Sequence, residues 1–113
     1  MDVSVRGTNI ELSPAVVAHV ERRLHFALGR FGRRVRAARV RMTDVNGPKG
    51  GLDTECHISL RLDPSGSLEI SDLGGDVYAA VDAAADRVGR SIGRRLARQG
   101  AGMDPRLPLR GLS

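Results

Sequence analysis

The apolar side chains of this chain switch between a spacing of two and a spacing of three to four, and the order of those switches limits the folds open to it. Val3 and Val5 alternate with Ser4 and Arg6, the period of a half-buried strand. Over residues 14–31, Val17, Val20, Leu24, Ala27, Leu28 and Phe31 recur at helical spacing. Ser13 can cap that helix, Pro14 suits its first position, and Gly32 is placed to end it. Period two returns over residues 35–43, where Ala38, Val40 and Met42 alternate with Arg39 and Arg41. It holds over residues 54–62, where Cys56, Ile58, Leu60 and Leu62 face away from Glu55, His57, Ser59 and Arg61. Asp63-Pro64-Ser65-Gly66 is a turn, and residues 67–73 form a fourth strand with Leu68 and Ile70 inward. Asn46 to Gly51 is a loop by composition. Gly74-Gly75 breaks the chain and Asp76 caps a second helix running to about residue 98. Its stripe is Val77, Val81, Ala84, Ala85, Val88, Ile92 and Leu96. Gly89 and Gly93 inside it each cost about 1 kcal/mol relative to Ala.

Each strand has one apolar face and each helix one apolar stripe. The economical arrangement is an α+β two-layer sandwich, β-α-β-β-β-α, with both helices covering one face of a four-stranded sheet. The other sheet face is left to solvent. Residues 1–98 make one domain, and residues 99–113, rich in Gly, Pro and Arg without a period, are expected to be a flexible tail.

Charge narrows the function. The formal net charge is +5, and a sequence pI of 10.9 raises nucleic acid as a partner. Lys49 is the one lysine, so the other cations are arginines, which offer planar, multi-donor contacts to phosphate. Arg87, Arg90, Arg94 and Arg98 fall within about 80° on the helical wheel, off the core stripe. Arg95 lies on another flank, and Asp86 is placed to pair with Arg90. On the first helix Phe26 points away from the core among His19, Arg22, Arg23 and Arg30. An exposed aromatic among cations suits stacking on an unpaired base; packing against the second helix or the tail is the competing reading. Arg33, Arg34 and Arg36 crowd a turn, where like charges repel unless an anion joins them. Arg39 and Arg41 extend the charge onto the open sheet face.

No catalytic pattern emerges. His19, His25 and His57 lie on different elements without metal-ligand spacing. Cys56 is on the apolar side of its strand, and a lone cysteine makes neither an internal disulfide nor a Cys-based zinc site. Ser65 lacks a nucleophile-elbow context, and Gly47-Pro48-Lys49-Gly50-Gly51 lacks the full phosphate-loop pattern. The expectation is no enzyme, no cofactor, no metal and no small-molecule substrate. With no apolar h-region after Met1 and no long apolar run, the cytoplasm is expected and no membrane partner.

Three stretches then resemble the ribosome hibernation-promoting factor family, which includes ribosome-associated inhibitor A, also called protein Y, in its short form. They are Gly7 to Ala15, Glu55-Cys56-His57-Ile58, and Asp76-Val77-Tyr78-Ala79-Ala80-Val81-Asp82 with Asp86-Arg87-Val88 after it. The resemblance covers residues 3–98 and implies the fold just described. It also implies binding to small-subunit ribosomal RNA in the decoding channel, blocking messenger and transfer RNA and silencing translation under stress. The family's basic positions fall on Arg22, Arg23, Arg30, Arg33 or Arg34, Arg87, Arg90, Arg94 and Arg95. The alternative is a general RNA-binding or RNA-chaperone domain, and a third reading is a module for an acidic protein. The long members' C-terminal domain does not fit in the last 15 residues or so, and a monomer in isolation is expected.

Overall fold

The computed structural model describes residues 1–45 and 53–101; the loop expected at Asn46–Gly51 and residues 102–113 of the expected tail lie outside them. Strand β1 spans Asp2–Gly7 and helix α1 Pro14–Leu28. Strands β2 (Val35–Asp44), β3 (Thr54–Leu62) and β4 (Ser67–Gly74) follow, then helix α2 (Val77–Ala101). The sheet order is β1-β2-β3-β4. β1 runs parallel to β2, as the helical crossover between them requires, and the other neighbours are antiparallel.

Local chemistry sets the helix starts as expected. Ser13 Oγ accepts from the Val16 N–H at 3.2 Å, with Pro14 next in line. Asp76 Oδ1 accepts from the Ala79 N–H at 2.8 Å. The end of α1 differs from the sequence reading. The α-helix stops at Leu28, and Gly29–Arg34 continues as a 3-10 segment. Gly32, at φ 56°, turns the chain there, a conformation glycine adopts freely. The Arg34 carbonyl then accepts from the Asp63 N–H at 2.9 Å, tying this segment to the β3–β4 turn.

The core lies between the helices and one sheet face. Val16, Val20, Leu24 and Leu28 of α1 meet Val81, Ala84, Val88 and Ile92 of α2 over Val40, Met42, Ile58 and Leu60. Val16 was not part of the sequence-read stripe, whereas Val17, Ala27 and Phe31 are only half-buried. A buried Val, Leu or Ile is worth roughly 1.5–3 kcal/mol, so this interior of aliphatic residues carries the fold without aromatics.

The contacts between the helices establish their relative direction. His19 touches Tyr78 and Asp82, Arg23 reaches Asp82 and Asp86, and Phe31 lies beside Gly93. Both partners advance together, so α1 and α2 run parallel and their C-terminal ends share one end of the domain. Gly89 lies where the helices approach each other, and a methyl group on it would make ordinary contact with Ala27 Cβ at 3.4 Å.

Candidate nucleic-acid interface

Arginines on both helices can converge because the helices are parallel. Arg22, Phe26 and Arg30 follow one another at single-turn spacing, and all three are exposed. Phe26 is 81% exposed, so it does not pack under α2. The Arg23 guanidinium carbon is 6.0 Å from its ring centroid. On α2, Arg90, Arg94 and Arg98 are exposed as expected. Arg30 joins the two rows. Its guanidinium stacks at 4.8 Å on the Phe31 ring and comes within 3.6 Å of the place a methyl group would take at Gly93. The missing side chain at Gly93 lets Arg30 reach across the seam between the helices.

Other sequence-read arginines are held by the protein itself. Arg23 is the main departure. Its Nε donates to Asp82 Oδ1 at 3.0 Å and its Nη2 to Asp86 Oδ1 at 2.8 Å. His19 Nε2 lies 2.8 Å from the same Asp82 oxygen. The expected Asp86–Arg90 pair does not form; Asp86 is taken across the seam by Arg23 instead. Sequence spacing favours a neighbour on the same helix, but only the packed pair brings Arg23 close enough. The two carboxylates between the rows thus share one cation from α1, which offsets part of their charge.

Arg34 Nε donates to the Asp63 carbonyl at 3.2 Å and Arg87 Nη1 to that of Ser71 at 3.0 Å. Arg95 Nη1 donates to the Ser67 carbonyl at 2.6 Å. These three tether the 3-10 segment and α2 to the β3–β4 turn and to β4, and Arg87 and Arg95 retain donors for another partner. Arg94 donates to Ser91 Oγ at 3.4 Å, a long contact on its own helix. Arg22, Arg33, Arg36, Arg90 and Arg98 make no hydrogen bond or ion pair among the described residues. Arg36 is apart from the rest. It is the extra residue of a bulge between Val35 and Ala37, beside Arg61 and the β3–β4 turn.

Two features escaped the sequence reading. His57 Nδ1 lies 2.7 Å from Ser71 Oγ and its Nε2 3.1 Å from Glu69 Oε1, a polar ladder across β3 and β4. Arg6 and Arg61 also join Arg39 and Arg41 on the open sheet face. Strand register reveals the ladder and puts Arg6 directly beside Arg41, while the outward side of Arg61 already followed from the alternation along β3. Burial pushes the Cys56 thiol up to about 12, with Glu55 and Asp72 adding to the shift, so it stays protonated and unreactive. Among the described residues no cluster of His, Cys, Asp and Glu could hold a metal, and no helix is long and apolar enough to cross a membrane.

A family model described as Sigma 54 modulation protein / S30EA ribosomal protein matches residues 3–99. The chain belongs to this family. The resemblance to hibernation-promoting factors read from its motifs is thereby confirmed. Solved structures of other proteins share the fold. A ribosomal subunit interface protein from Coxiella burnetii superposes with a TM-score of 0.74 at 17% identity, covering 86% of this chain and 99% of that one. The N-terminal domain of Protein Y from Thermus thermophilus gives 0.70 at 24% identity, covering 84% and 99%. Among curated proteins, none matches the chain.

Proposed function

We propose that this S30EA-family domain binds the small ribosomal subunit through its ribosomal RNA in the decoding channel. It acts there as a hibernation factor, excluding messenger and transfer RNA by occupying their space. The observation that supports this reading is Arg30 reaching α2 at Gly93, which lies between Arg90 and Arg94 in the sequence. Phosphates would be held by Arg22, Arg30, Arg33, Arg90, Arg94 and Arg98, with Phe26 placed to stack on an unpaired base. Arg23, Arg34, Arg87 and Arg95 support this helix surface, and Arg36, apart from the two rows, adds a separate phosphate contact near the β3–β4 turn. Inhibition is steric and needs no catalytic step, cofactor or small-molecule substrate. The protein acts in the cytoplasm and is a monomer before it binds.

Gradient sedimentation of cell lysate tests the proposal. The wild-type protein should travel with small subunits and monosomes, and transfer RNA should displace it from isolated small subunits. Arg90→Glu combined with Arg94→Glu should shift it to the top of the gradient with its circular dichroism unchanged. If the double variant sediments with ribosomes like the wild type, the helix surface is not the contact. If transfer RNA fails to compete, general RNA binding is the better account.

A further inference from the structure

We infer that the domain carries a second RNA-binding surface on the open face of its sheet, so that one molecule holds two RNA strands on opposite sides. The inference rests on the reading of the domain as an RNA binder and adds a second strand to it.

Strand register assembles this surface. Arg6 on β1 is directly beside Arg41 on β2, and Arg41 is directly opposite His57 on β3. Arg39 lies two residues along the same strand, flanked by Ser4 and Ser59. Arg61 on β3 pairs with Ala37, one step further down the face. Arg6, Arg39, Arg41 and Arg61 are all exposed. None of them makes an ion pair among the described residues. The face also holds three carboxylates. Glu69 is engaged by His57 at 3.1 Å, while Asp2 and Glu55 sit opposite Ala37 and Thr43, toward the two ends of the face. Around the centre three arginines, Arg6, Arg39 and Arg41, outnumber the one carboxylate, Glu69.

Like charges set side by side on neighbouring strands destabilise a sheet. Arg6 beside Arg41 is such a pair, and an anion between them turns repulsion into two charge-assisted contacts. The spacing suits a chain of anions better than a single one. Arg39 and Arg41 are about 7 Å apart along the strand, and Arg6 is about 5 Å across from Arg41. Together with His57, Ser59 and Glu69 they line a trough of about 370 Å³ with a polar floor. A phosphodiester backbone supplies negative charge at repeated intervals and meets planar guanidinium donors well. No Phe, Tyr or Trp is on this face, and the His57 ring is held by Ser71 and Glu69, so the contact is to the backbone without sequence preference. The helix surface lies on the far side of the sheet, so a strand held in the trough is separate from one held by the helices.

Two short single-stranded RNAs, one carrying a fluorescent donor and the other an acceptor, test this with the full chain. The wild type should bind two RNAs per protein and bring donor and acceptor together, while sedimenting at the mass of one protein with two strands. Arg39→Glu combined with Arg41→Glu should bind one RNA, lose the energy transfer, and weaken the second binding step about tenfold or more. Its thermal midpoint should be no lower than that of the wild type, since Arg41→Glu replaces the repulsion with Arg6 by attraction. Arg90→Glu with Arg94→Glu should lose the other strand and keep the trough. A wild-type stoichiometry of one RNA, or a sheet variant that still bridges two, overturns the inference and leaves the helix surface standing. Polyglutamate that binds the trough where RNA does not overturns it in favour of an acidic protein. Failure of the wild type to bind any RNA removes both readings.

Discussion

Arg23 illustrates how far a single residue's role depends on its neighbours across the fold. Its sequence context is basic, yet two of its nitrogens are committed to Asp82 and Asp86 on the other helix. Asp86 is 60% exposed at its side chain, so its share of this pair is screened by water and adds little stability. It also holds a negative charge in the middle of the cationic surface. Asp86→Asn should therefore tighten binding to small subunits about threefold, while stability changes by less than about 0.5 kcal/mol because Arg23 keeps Asp82. Equilibrium titration and thermal melts of the variant check both parts. Unchanged or weaker binding would mean that this seam does not face the RNA.

At the scale of elements, what could be read in advance was what the backbone period encodes. The alternation of Cys56, Ile58, Leu60 and Leu62 identified β3 and its buried face, and Ser13-Pro14 and Asp76 marked the helix starts. The end of α1 could not be read, because the switch to a 3-10 segment answers to Asp63 and Gly93, residues far along the chain. The same holds for the site. Helical spacing placed Arg90, Arg94 and Arg98 in one line, but which arginines would be tied to carbonyls of β4 depended on how α2 lies over the sheet. Gly93 looked like a weak point in a helix, and the seam gives it a purpose. A methyl group there would make ordinary contacts at 3.6 Å with the ends of Arg30 and Phe31. Gly93→Ala should thus recover helix propensity of about 1 kcal/mol, raising the midpoint by about 4–8 °C in thermal denaturation. Gly93→Leu should instead push Arg30 off the seam and weaken RNA binding. If leucine leaves binding unchanged, Arg30 does not join the two rows.

For the molecule as a whole, a two-layer domain with parallel helices separates two tasks. The aliphatic interior holds the layers together, and the outer surface of the helices is free to present charge. Membership of the S30EA family supplies the ribosome as the polyanion most in keeping with that surface. An interface built mainly on arginine–phosphate contacts releases counterions when it forms, which gives it a measurable signature. The decisive measurement is the dissociation constant of the protein for purified small subunits over a range of salt concentrations. With about six phosphates engaged, the logarithm of the association constant should fall against the logarithm of salt with a slope of about −4 to −5. A slope near zero would contradict the account, since it would mean that the guanidinium groups do not hold the ribosome.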